Sequence, residues 1–460
     1  MSPLPAVRPR LRSWLALWGA VAPLFLAEFV VWLGFGALLP ILPIYFTSQG
    51  IDLATLGLVI AAWPAARLVS EPIFGWVADR TARVPLMAFG LVFGGVCGAL
   101  PLVLTGAGWF LVLRAGAGLG AAVYDPAARG YLTDATPTER RGEAFGLYGA
   151  AQMGGLLLGP AIGAFGAAYV GGVGFVFIFS AVTSILAAGA ILRVREGEGA
   201  RPTSAGSRRA RARDTTEFPP DSPYLERRVA TEGVASAATD ANALVPSGAA
   251  GGSRRLINRG LVAAIALNVG VSFAGGTYEV IWSLFLRRLG ADLSLIGLTF
   301  AVFGVPVLLL SPIAGRFVDR RGPLPLVVVG GILPAISGIA YTRMTDPVLA
   351  LPLILVESTG FAFLIPALYA IVAMSSPPGR SSTAQGVFGA AGTLGFIVAS
   401  LVAGALAAID ILYPFYVFVS VMTVCLVVGL LVGRGRLWGS AYRGSRQLSP
   451  SRDRAETTSG

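Results

Sequence analysis

The chain has 460 residues, of which 55% are hydrophobic and 13% charged, and its formal net charge is +11. Soluble domains carry about 25% charged residues, so the composition excludes a soluble fold of this length and leaves enough apolar residues for about twelve membrane spans. There is no His, and all 35 cationic side chains are Arg. This excludes His- or Lys-based catalysis and a P-loop ATP site, whose motif requires Lys.

Twelve apolar runs, separated by Gly, Pro or charged residues, predict twelve spanning helices. In the first half of the chain they cover residues 16–46, 53–78, 84–104, 108–133, 142–168 and 172–192. In the second half they cover residues 258–286, 293–318, 324–342, 347–374, 382–408 and 411–433. The sequence therefore predicts an all-α membrane protein with twelve transmembrane helices.

The Arg residues are distributed very unevenly between the two sides of this arrangement. With the N-terminus assigned to the cytoplasm, 30 of the 35 Arg fall on the cytoplasmic side and 3 on the outside. Cytoplasmic loops of membrane proteins carry such an excess of positive charge. We therefore predict a multi-pass protein of the cell (plasma or inner) membrane with both termini cytoplasmic. The basic charge reflects topology and contact with lipid, and no nucleic-acid partner is predicted.

One long polar stretch divides the chain into two halves. Residues 1–194 are predicted to form an N-terminal six-helix bundle, and residues 258–436 a C-terminal one. Between them, residues 195–257 mix Arg, Gly, Ser, Pro and acids without an apolar period, which predicts a largely disordered cytoplasmic linker. Residues 437–460 are predicted to be a cytoplasmic tail.

The two halves repeat each other at an offset of 240 residues. Asp79-Arg80 matches Asp319-Arg320, and the segment 50–53 matches 290–293 with Gly, Asp and Leu in common. Further Gly, Pro and Ala matches keep the same offset across the linker. Two homologous six-span halves, with a site near the midplane between them, are a recurrent design among transporters. We therefore predict two pseudo-symmetric six-helix bundles.

The loop after the second span carries a family signature. Residues 75–83 read GWVADRTAR, which resembles the G-x-x-x-D-R-x-G-R-R loop of the major facilitator superfamily, although Ala82 and Val84 depart from that pattern. A second copy begins at residue 315 and has Pro323 and Leu324 in place of the basic pair. The resemblance implies a gating loop in which Asp79 latches the two halves together. The predicted gating residues are Gly75, Asp79, Arg80, Arg83, Gly315, Asp319 and Arg320.

Two further segments support the same resemblance. Residues 114–122 read RAGAGLGAA and are similar to the family's R-x-x-Q-G-x-G-A-A, with Ala117 in place of Gln. The fifth span carries Gly155, Gly159, Pro160 and Gly163, similar to the antiporter signature G-x-x-x-G-P-x-x-G-G with Ala164 at its last position. Together these motifs imply the major facilitator fold and resemble its twelve-span drug–proton antiporter branch. Close helix packing alone also explains the glycine stripe, and a role in blocking leak is the alternative.

Ionisable groups inside the predicted spans are costly, at ~2.5–3.5 kcal/mol each on insertion scales, and mark function by default. The resemblance implies that spans 1, 4, 7 and 10 line a central cavity, and four of the carboxylates fall on these four spans. The predicted proton-coupling and cavity residues are Glu28, Glu357, Glu279, Asp125, Arg114, Arg67 and Glu71.

Structural roles remain open for most of these groups. Arg67 and Glu71 lie four residues apart and can pair with each other. Arg114 can brace its span through backbone carbonyls. Asp125 can pair with Arg129, and Glu279 lies near Arg287 and Arg288. Glu28 and Glu357 lie close to mid-span, where a functional role is favoured.

The leading hypothesis is a secondary active transporter, not an enzyme. A buried Glu that exchanges a proton for a cationic cargo would drive proton-coupled efflux of small amphipathic molecules by alternating access. The alternative is an uptake symporter or facilitator for a metabolite, such as a sugar or an organic acid, which would rely on Arg67 and Arg114. The predicted partners are a small-molecule substrate, the proton and the lipid bilayer. We predict a monomer without a cofactor or metal.

Overall fold

The computed structural model describes residues 8–136, 140–194, 256–377 and 380–434. Within these ranges the chain forms twelve long helices and no β-strand, which confirms the all-α prediction. The predicted tail at 437–460 and nearly all of the predicted linker at 195–257 lie outside the described residues, so the division into domains stays a prediction.

The helices of the two halves are numbered in chain order. The first half contains α1 Arg8–Leu38, α2 Leu53–Ala78, α3 Arg83–Ala99, α4 Ala107–Ala135, α5 Arg141–Gly166 and α6 Gly172–Ile191. The second half contains α7 Arg259–Arg288, α8 Leu293–Arg321, α9 Leu324–Tyr341, α10 Ala350–Ser375, α11 Ser381–Ala407 and α12 Tyr413–Val432.

The predicted first span, 16–46, is wrong as a single helix. Helix α1 ends at Leu38, and a separate short helix covers Leu42–Ser48. Pro40 has no backbone N–H to continue the α1 ladder and disfavours helical geometry in the residue before it. Pro43 lies in the first turn of the short helix, where a missing N–H costs nothing.

Helices α5 and α6 form one continuous apolar stretch, Glu143–Ile191, of 49 residues. At 1.5 Å per residue this stretch is far longer than the ~30 Å of hydrocarbon that one crossing requires. A π-helical turn at Ala167–Gly171 and a positive φ of 62° at Gly172 divide it. The 11 apolar stretches among the described residues therefore supply twelve crossings.

The two halves use the same set of helix contacts. In the first half α1 packs on α5 and α6, α4 packs on α2 and α3, and α3 packs on α6. In the second half the equivalent contacts are α7 on α11 and α12, α10 on α8 and α9, and α9 on α12. The internal repeat in the sequence therefore corresponds to a pseudo-symmetric pair of bundles.

Contacts between the halves are concentrated at one end of the bundle. We call the end where α6 finishes and α7 begins the linker end, and the opposite end the far end. The halves meet through α2 on α11 and α5 on α8. One hydrophobic cluster at the far end contains residues of both halves, including Phe46, Phe110, Val280 and Phe415, whereas each half has its own cluster at the linker end.

The far end is sealed by two pseudo-equivalent contacts between small residues. A Cβ added to Gly57 of α2 would lie 2.4 Å from the carbonyl oxygen of Ser400 and 3.0 Å from Cα of Gly404 on α11. At the position 240 residues later, a Cβ on Gly297 of α8 would lie 2.2 Å from Cβ of Ala164 on α5. We call these two contacts the far-end seam. Only very small side chains allow helices to approach this closely.

The same helices do not make such contacts at the linker end. A Cβ added to Gly146 or Gly149 of α5, or to Gly386 or Gly389 of α11, would meet no described atom within 4 Å. The structure is therefore closed between the halves at the far end and parted at the linker end.

Helices α2 and α8 begin in the same way, as the repeat predicts. Gly50 and Gly290 have positive φ values of 83° and 91°. Two residues later, Asp52 accepts a hydrogen bond from the backbone N–H of Thr55 at 3.0 Å, and Asp292 accepts one from Leu295 at 2.9 Å. These aspartates satisfy backbone donors that the first helical turn leaves free.

Replacing Asp292 by Ala is expected to lower the free energy of unfolding by about 1 kcal/mol, because the α8 cap is lost. The hydroxyl of Ser294 and the backbone N–H of Leu295 donate to this carboxylate and hold the pKa of Asp292 below its usual value. Its contribution is thus present above the ordinary Asp pKa and is lost as pH falls through the lowered pKa. The free energy of reversible unfolding in detergent, measured at several pH values for both proteins, tests the size of this loss and its pH dependence. The Asp292→Asn variant keeps an acceptor oxygen for the cap. If it lowers the free energy of unfolding as much as Asp292→Ala does, the capping role is contradicted.

Candidate functional site

Glu28 of α1 is the buried acid of the first half. Its carboxylate is completely inaccessible to solvent and accepts hydrogen bonds from the indole Nε1 of Trp32 and the hydroxyl of Tyr124, both at 2.9 Å. Trp32 lies one turn further along α1, and Tyr124 lies on α4. Tyr148 of α5 is also buried and belongs to the same hydrophobic cluster as Tyr124.

Glu357 of α10 is the buried acid of the second half, with a relative exposure of 2%. Its two carboxylate oxygens accept hydrogen bonds from the hydroxyls of Tyr278 on α7, at 2.6 Å, and Tyr341 on α9, at 2.7 Å. Tyr278 and Tyr341 belong to a group of contacting aromatic rings that also includes Trp282 and Phe415.

The two acids occupy related but exchanged positions. In the first half the acid lies on α1 and a phenol donor on α4; in the second half the phenol lies on α7 and the acid on α10. Because α1 corresponds to α7 and α4 to α10, the same helix pair carries the same two groups with their places interchanged. Among the described residues, neither Glu28 nor Glu357 forms an ion pair; the hydrogen-bond donors to both are neutral.

A four-membered ion-pair network links α2 to α4. Arg67 forms a short ion pair with Asp125 and lies 3.5 Å from the Glu71 carboxylate. Arg129 lies 3.4 Å from Glu71 and 3.8 Å from Asp125. The network contains two cations and two anions, so its formal charge is zero. The structure thus places Arg67 beside Glu71 and Arg129 beside Asp125, and joins both pairs into one network.

Arg114 of α4 and Glu279 of α7 form an ion pair between the two halves, with Nη2 and Oε1 2.9 Å apart. Arg114 therefore contacts a carboxylate of the opposite half, and Glu279 does not pair with Arg287 or Arg288. The Nε of Arg114 is buried and has no hydrogen-bond partner among the described residues. Among the described residues, it is the ion pair that joins the two bundles.

The predicted gating loop makes its described contacts within the first half. Arg83 forms a short ion pair with Asp134, and its guanidinium lies 3.9 Å from Asp79, whose side chain is 74% exposed. The Arg80 guanidinium lies over the Trp76 ring, 4.0 Å from the ring centroid. In the second copy Asp319 and Arg320 are exposed, and a Cβ on Gly315 would meet no described atom within 4 Å. The loops thus lie at the parted end.

The glycine stripe of α5 faces α1. Added Cβ atoms at Gly155, Gly159 and Gly163 would lie 2.3–2.5 Å from backbone oxygens of α1. Close packing within the first half therefore accounts for these three glycines, and the following position, Ala164, belongs to the far-end seam.

A cavity of about 100 Å³ lies within the first half. It is lined by both hydrogen-bond partners of Glu28, by the buried guanidinium of Arg114 and the half-buried guanidinium of Arg67, and by further aromatic rings. These lining residues are Trp32, Phe35, Trp63, Arg67, Arg114 and Tyr124. The cavity thus adjoins the Glu28 cluster, the α2–α4 network and the ion pair between the halves.

The hydrogen-bond donors to Glu28 and Glu357 are absent from the site residues that the sequence predicts. Trp32, Tyr124, Tyr278 and Tyr341 donate to the buried acids, and none of them is among the predicted cavity residues. The sequence signal for such a donor is a tyrosine on a span that neighbours the span with the buried acid. This signal is incomplete, because the rotation of each helix decides which tyrosine contacts the acid.

The chain matches the sequence model of the family described as Major Facilitator Superfamily, over residues 24–278 and 264–437. Over 137 residues, or 30% of this chain, it is 28% identical to the quinolone resistance protein NorA of Staphylococcus aureus (strain MRSA252), of which this covers 35%. Over 162 residues, or 34% of this chain, it is 27% identical to multidrug resistance protein 2 of Bacillus subtilis (strain 168), of which this covers 40%. The chain therefore spans about a third to two fifths of the length of these curated relatives.

Solved structures resemble the fold over nearly its whole length. A bacterial homolog to the human lysosomal transporter Spinster, in an inward-facing and unoccupied conformation, has a TM-score of 0.67 at 14% identity, covering 91% of this chain and 97% of that chain. The nucleoside transporter NupG has a TM-score of 0.66 at 12% identity, covering 90% and 98%. The predicted fold, two pseudo-symmetric six-helix bundles, is confirmed.

Proposed function

The chain belongs to the Major Facilitator Superfamily, and we propose that it is a secondary active transporter that exports small amphipathic cations in exchange for protons. The protein works by alternating access: the site between and within the two bundles opens to one side of the membrane at a time. Residues 1–194 and 258–436 are the two moving bundles, and residues 195–257 are a cytoplasmic linker. The protein is a monomer in the cell membrane with both termini in the cytoplasm.

One observation carries this proposal: each half contains a buried carboxyl group whose hydrogen-bond donors are neutral and which forms no ion pair with any described residue. An unpaired ionised carboxylate in a low-dielectric interior costs several kcal/mol, whereas the protonated group carries no such penalty. Glu28 and Glu357 therefore hold protons while occluded and release them when water or a cationic substrate reaches them. Competition between a proton and a cation for the same carboxylate produces antiport.

The two ends of the bundle support alternating access. The far end is closed by the far-end seam and the linker end is parted, so the interior of this conformation is reached from the linker end. With the linker in the cytoplasm, this is the state that takes up substrate from the cell. The gating residues at the parted end form the latch of the opposite state.

The ion pairs favour export of cations over the alternative, uptake of an anionic metabolite. Arg67 is balanced by Asp125 and Glu71, and Arg114 by Glu279, so the paired groups leave no net positive site. The names of the two relatives, a quinolone resistance protein and a multidrug resistance protein, support the export of drug-like molecules. An organic-acid or sugar carrier remains the second candidate.

Transport by the purified full chain in proteoliposomes tests this proposal. With an imposed pH gradient, we expect a fluorescent aromatic cation to accumulate in the acidic compartment, because each exchanged proton supplies the energy for about a tenfold concentration ratio per pH unit. A protonophore should abolish the accumulation. Equal transport with and without the gradient would indicate a facilitator, and gradient-driven uptake of a sugar or organic acid would favour the alternative.

A further inference from the structure

The two buried acids lie at different depths in the bundle. The repeat gives the depth of Glu28: its equivalent on α7 is Asn268, which lies nine residues from the linker-end start of that helix at Arg259. Glu357 lies seven residues from the far-end start of α10 at Ala350. At 1.5 Å per residue these separations are about 14 and 11 Å. Glu28 is therefore closer to the linker end, and Glu357 is closer to the far end.

The surroundings of Glu28 belong to the linker end. Tyr124, which donates to Glu28, lies in the hydrophobic cluster that the first half forms there. The next residue, Asp125, is buried and belongs to the α2–α4 network, in which the side chains of Glu71 and Arg129 are 31% and 49% exposed. Charged groups thus lead from exposed side chains near the linker end to the residue beside Tyr124.

The cavity of the first half also adjoins Glu28. It is lined by both hydrogen-bond donors to Glu28 and by two members of the α2–α4 network, Arg67 and Asp125. Its volume of about 100 Å³ has room for several water molecules, and waters in a protein interior need polar partners, which these side chains supply. One hydrogen-bonded side chain therefore separates the carboxyl group of Glu28 from a space that water can occupy.

The surroundings of Glu357 are aromatic and belong to the far end. Tyr341, one of its two donors, is completely buried in the cluster that contains residues of both halves. The rings of Tyr278, Trp282 and Phe415 all pack around this tyrosine. Every ion pair of the described residues lies within the first half or joins the two halves. Within the described part of the second half, no chain of ion pairs therefore leads from Glu357 to either end.

We propose that the two acids exchange their protons at opposite ends of the bundle: Glu28 at the linker end, in the conformation described above, and Glu357 at the far end, once that end opens. The inference rests on the proposed function and assigns each acid to one side of the membrane. In either exchange the O–H bond of the carboxyl group breaks, the proton passes to a water molecule, and an ionised carboxylate remains. The reverse step restores the acid. A closed far end thus isolates Glu357 while Glu28 equilibrates with the other side.

Hydrogen–deuterium exchange of the acid protons tests this assignment. A protonated carboxyl group has its own C=O stretching band in the infrared spectrum, and the band shifts when a deuteron replaces the proton. The purified full chain in proteoliposomes is transferred to heavy water without a change in acidity, and the shift is followed in time. Glu28→Gln and Glu357→Gln each remove one component of the band and so identify it. Glu143→Gln, which removes an exposed acid in the first turn of α5, is the matched control and should leave the band unchanged.

We expect the Glu28 component to shift at least about tenfold faster than the Glu357 component, because a minor conformation is populated at about 10% or less and Glu357 exchanges only in far-end-open molecules. Gly57→Val forces the far-end seam apart and should speed up the Glu357 component at least about fivefold. Gly189→Val adds the same side chain where a Cβ would meet no described atom within 4 Å, and should leave both rates unchanged. If one Gln variant does not fold, the component that remains in the other still shows whether its acid is the fast or the slow one.

Equal rates for the two components, or a faster Glu357 component, would overturn the assignment of the acids to opposite ends. Such a result would leave the proposed function intact, because both acids would still be shown to hold protons. If instead neither Gln variant removes any part of the band, both carboxyl groups are ionised, and the proposed function fails together with this inference.

Discussion

We expect the double variant Glu28→Gln, Glu357→Gln to lose all accumulation of substrate that is driven by a pH gradient. Glutamine has nearly the same shape: its one carbonyl oxygen can accept from Trp32 or from one tyrosine, and its amide N–H can donate to the hydroxyl of the other tyrosine. It cannot, however, bind and release a proton. Each coupled proton supports about a tenfold concentration ratio per pH unit, so removal of both acids should reduce the ratio to one. Flux down a substrate gradient should continue, because the pathway remains.

The two single variants identify the coupling group, since the one that reproduces the loss carries the proton. Glu143→Gln is the matched control: this acid lies exposed in the first turn of α5, and its loss should leave the ratio unchanged. Proteoliposomes with an imposed pH gradient provide the measurement. Continued accumulation against a concentration gradient by the double variant would show that protons are coupled elsewhere.

A second large effect is expected from Gly57→Val in the far-end seam. Any Cβ at this position would lie 2.4 Å from the Ser400 carbonyl oxygen, so α2 and α11 must separate. Overpacking costs about 1–3 kcal/mol, which corresponds to a shift of roughly fivefold to 150-fold in the ratio of far-end-open to far-end-closed molecules. The position lies between the halves and not inside one, so the fold of each bundle should persist.

Spin-label distances at both ends measure this shift. Labels at exposed Ser48 and Arg288, one in each half at the far end, should move apart, while labels at Thr81 and Arg321 at the linker end should approach each other. Gly189→Val introduces the same side chain at an exposed position of α6, where a Cβ would meet no described atom within 4 Å. This control should leave both distances unchanged. A Gly57→Val protein with the original distances would mean that the seam does not set the conformation.

Much of the fold could be predicted from the sequence because the bilayer imposes strong constraints. Apolar runs of about twenty residues locate the spans, and the 240-residue offset predicts two equivalent bundles. The same offset matches Asp52 with Asp292, and the structure shows that both cap the helix that follows. Where prediction failed, at the end of the first span, hydropathy continued through Pro40 and Pro43 although the backbone could not continue as one helix.

The site could be predicted only in part, because local spacing gives neighbours on one helix but not across helices. Arg67 and Glu71, four residues apart, lie within reach of each other as their spacing suggests. The contact between Arg114 and Glu279, 165 positions apart, depends on how the bundles are apposed, which no local pattern encodes. Likewise, Tyr341 reaches Glu357 because of the rotation of α9 relative to α10, and hydropathy is nearly blind to that rotation.

The far-end seam has a kinetic consequence. At Gly57 and Gly404 backbone faces backbone, so no side chain has to change rotamer when these surfaces separate or rejoin. We therefore expect opening of the far end to be fast. The slow conformational step should be the closing of the charged loops at the linker end, where long arginine side chains must become ordered and lose bound water before they can form contacts between the halves.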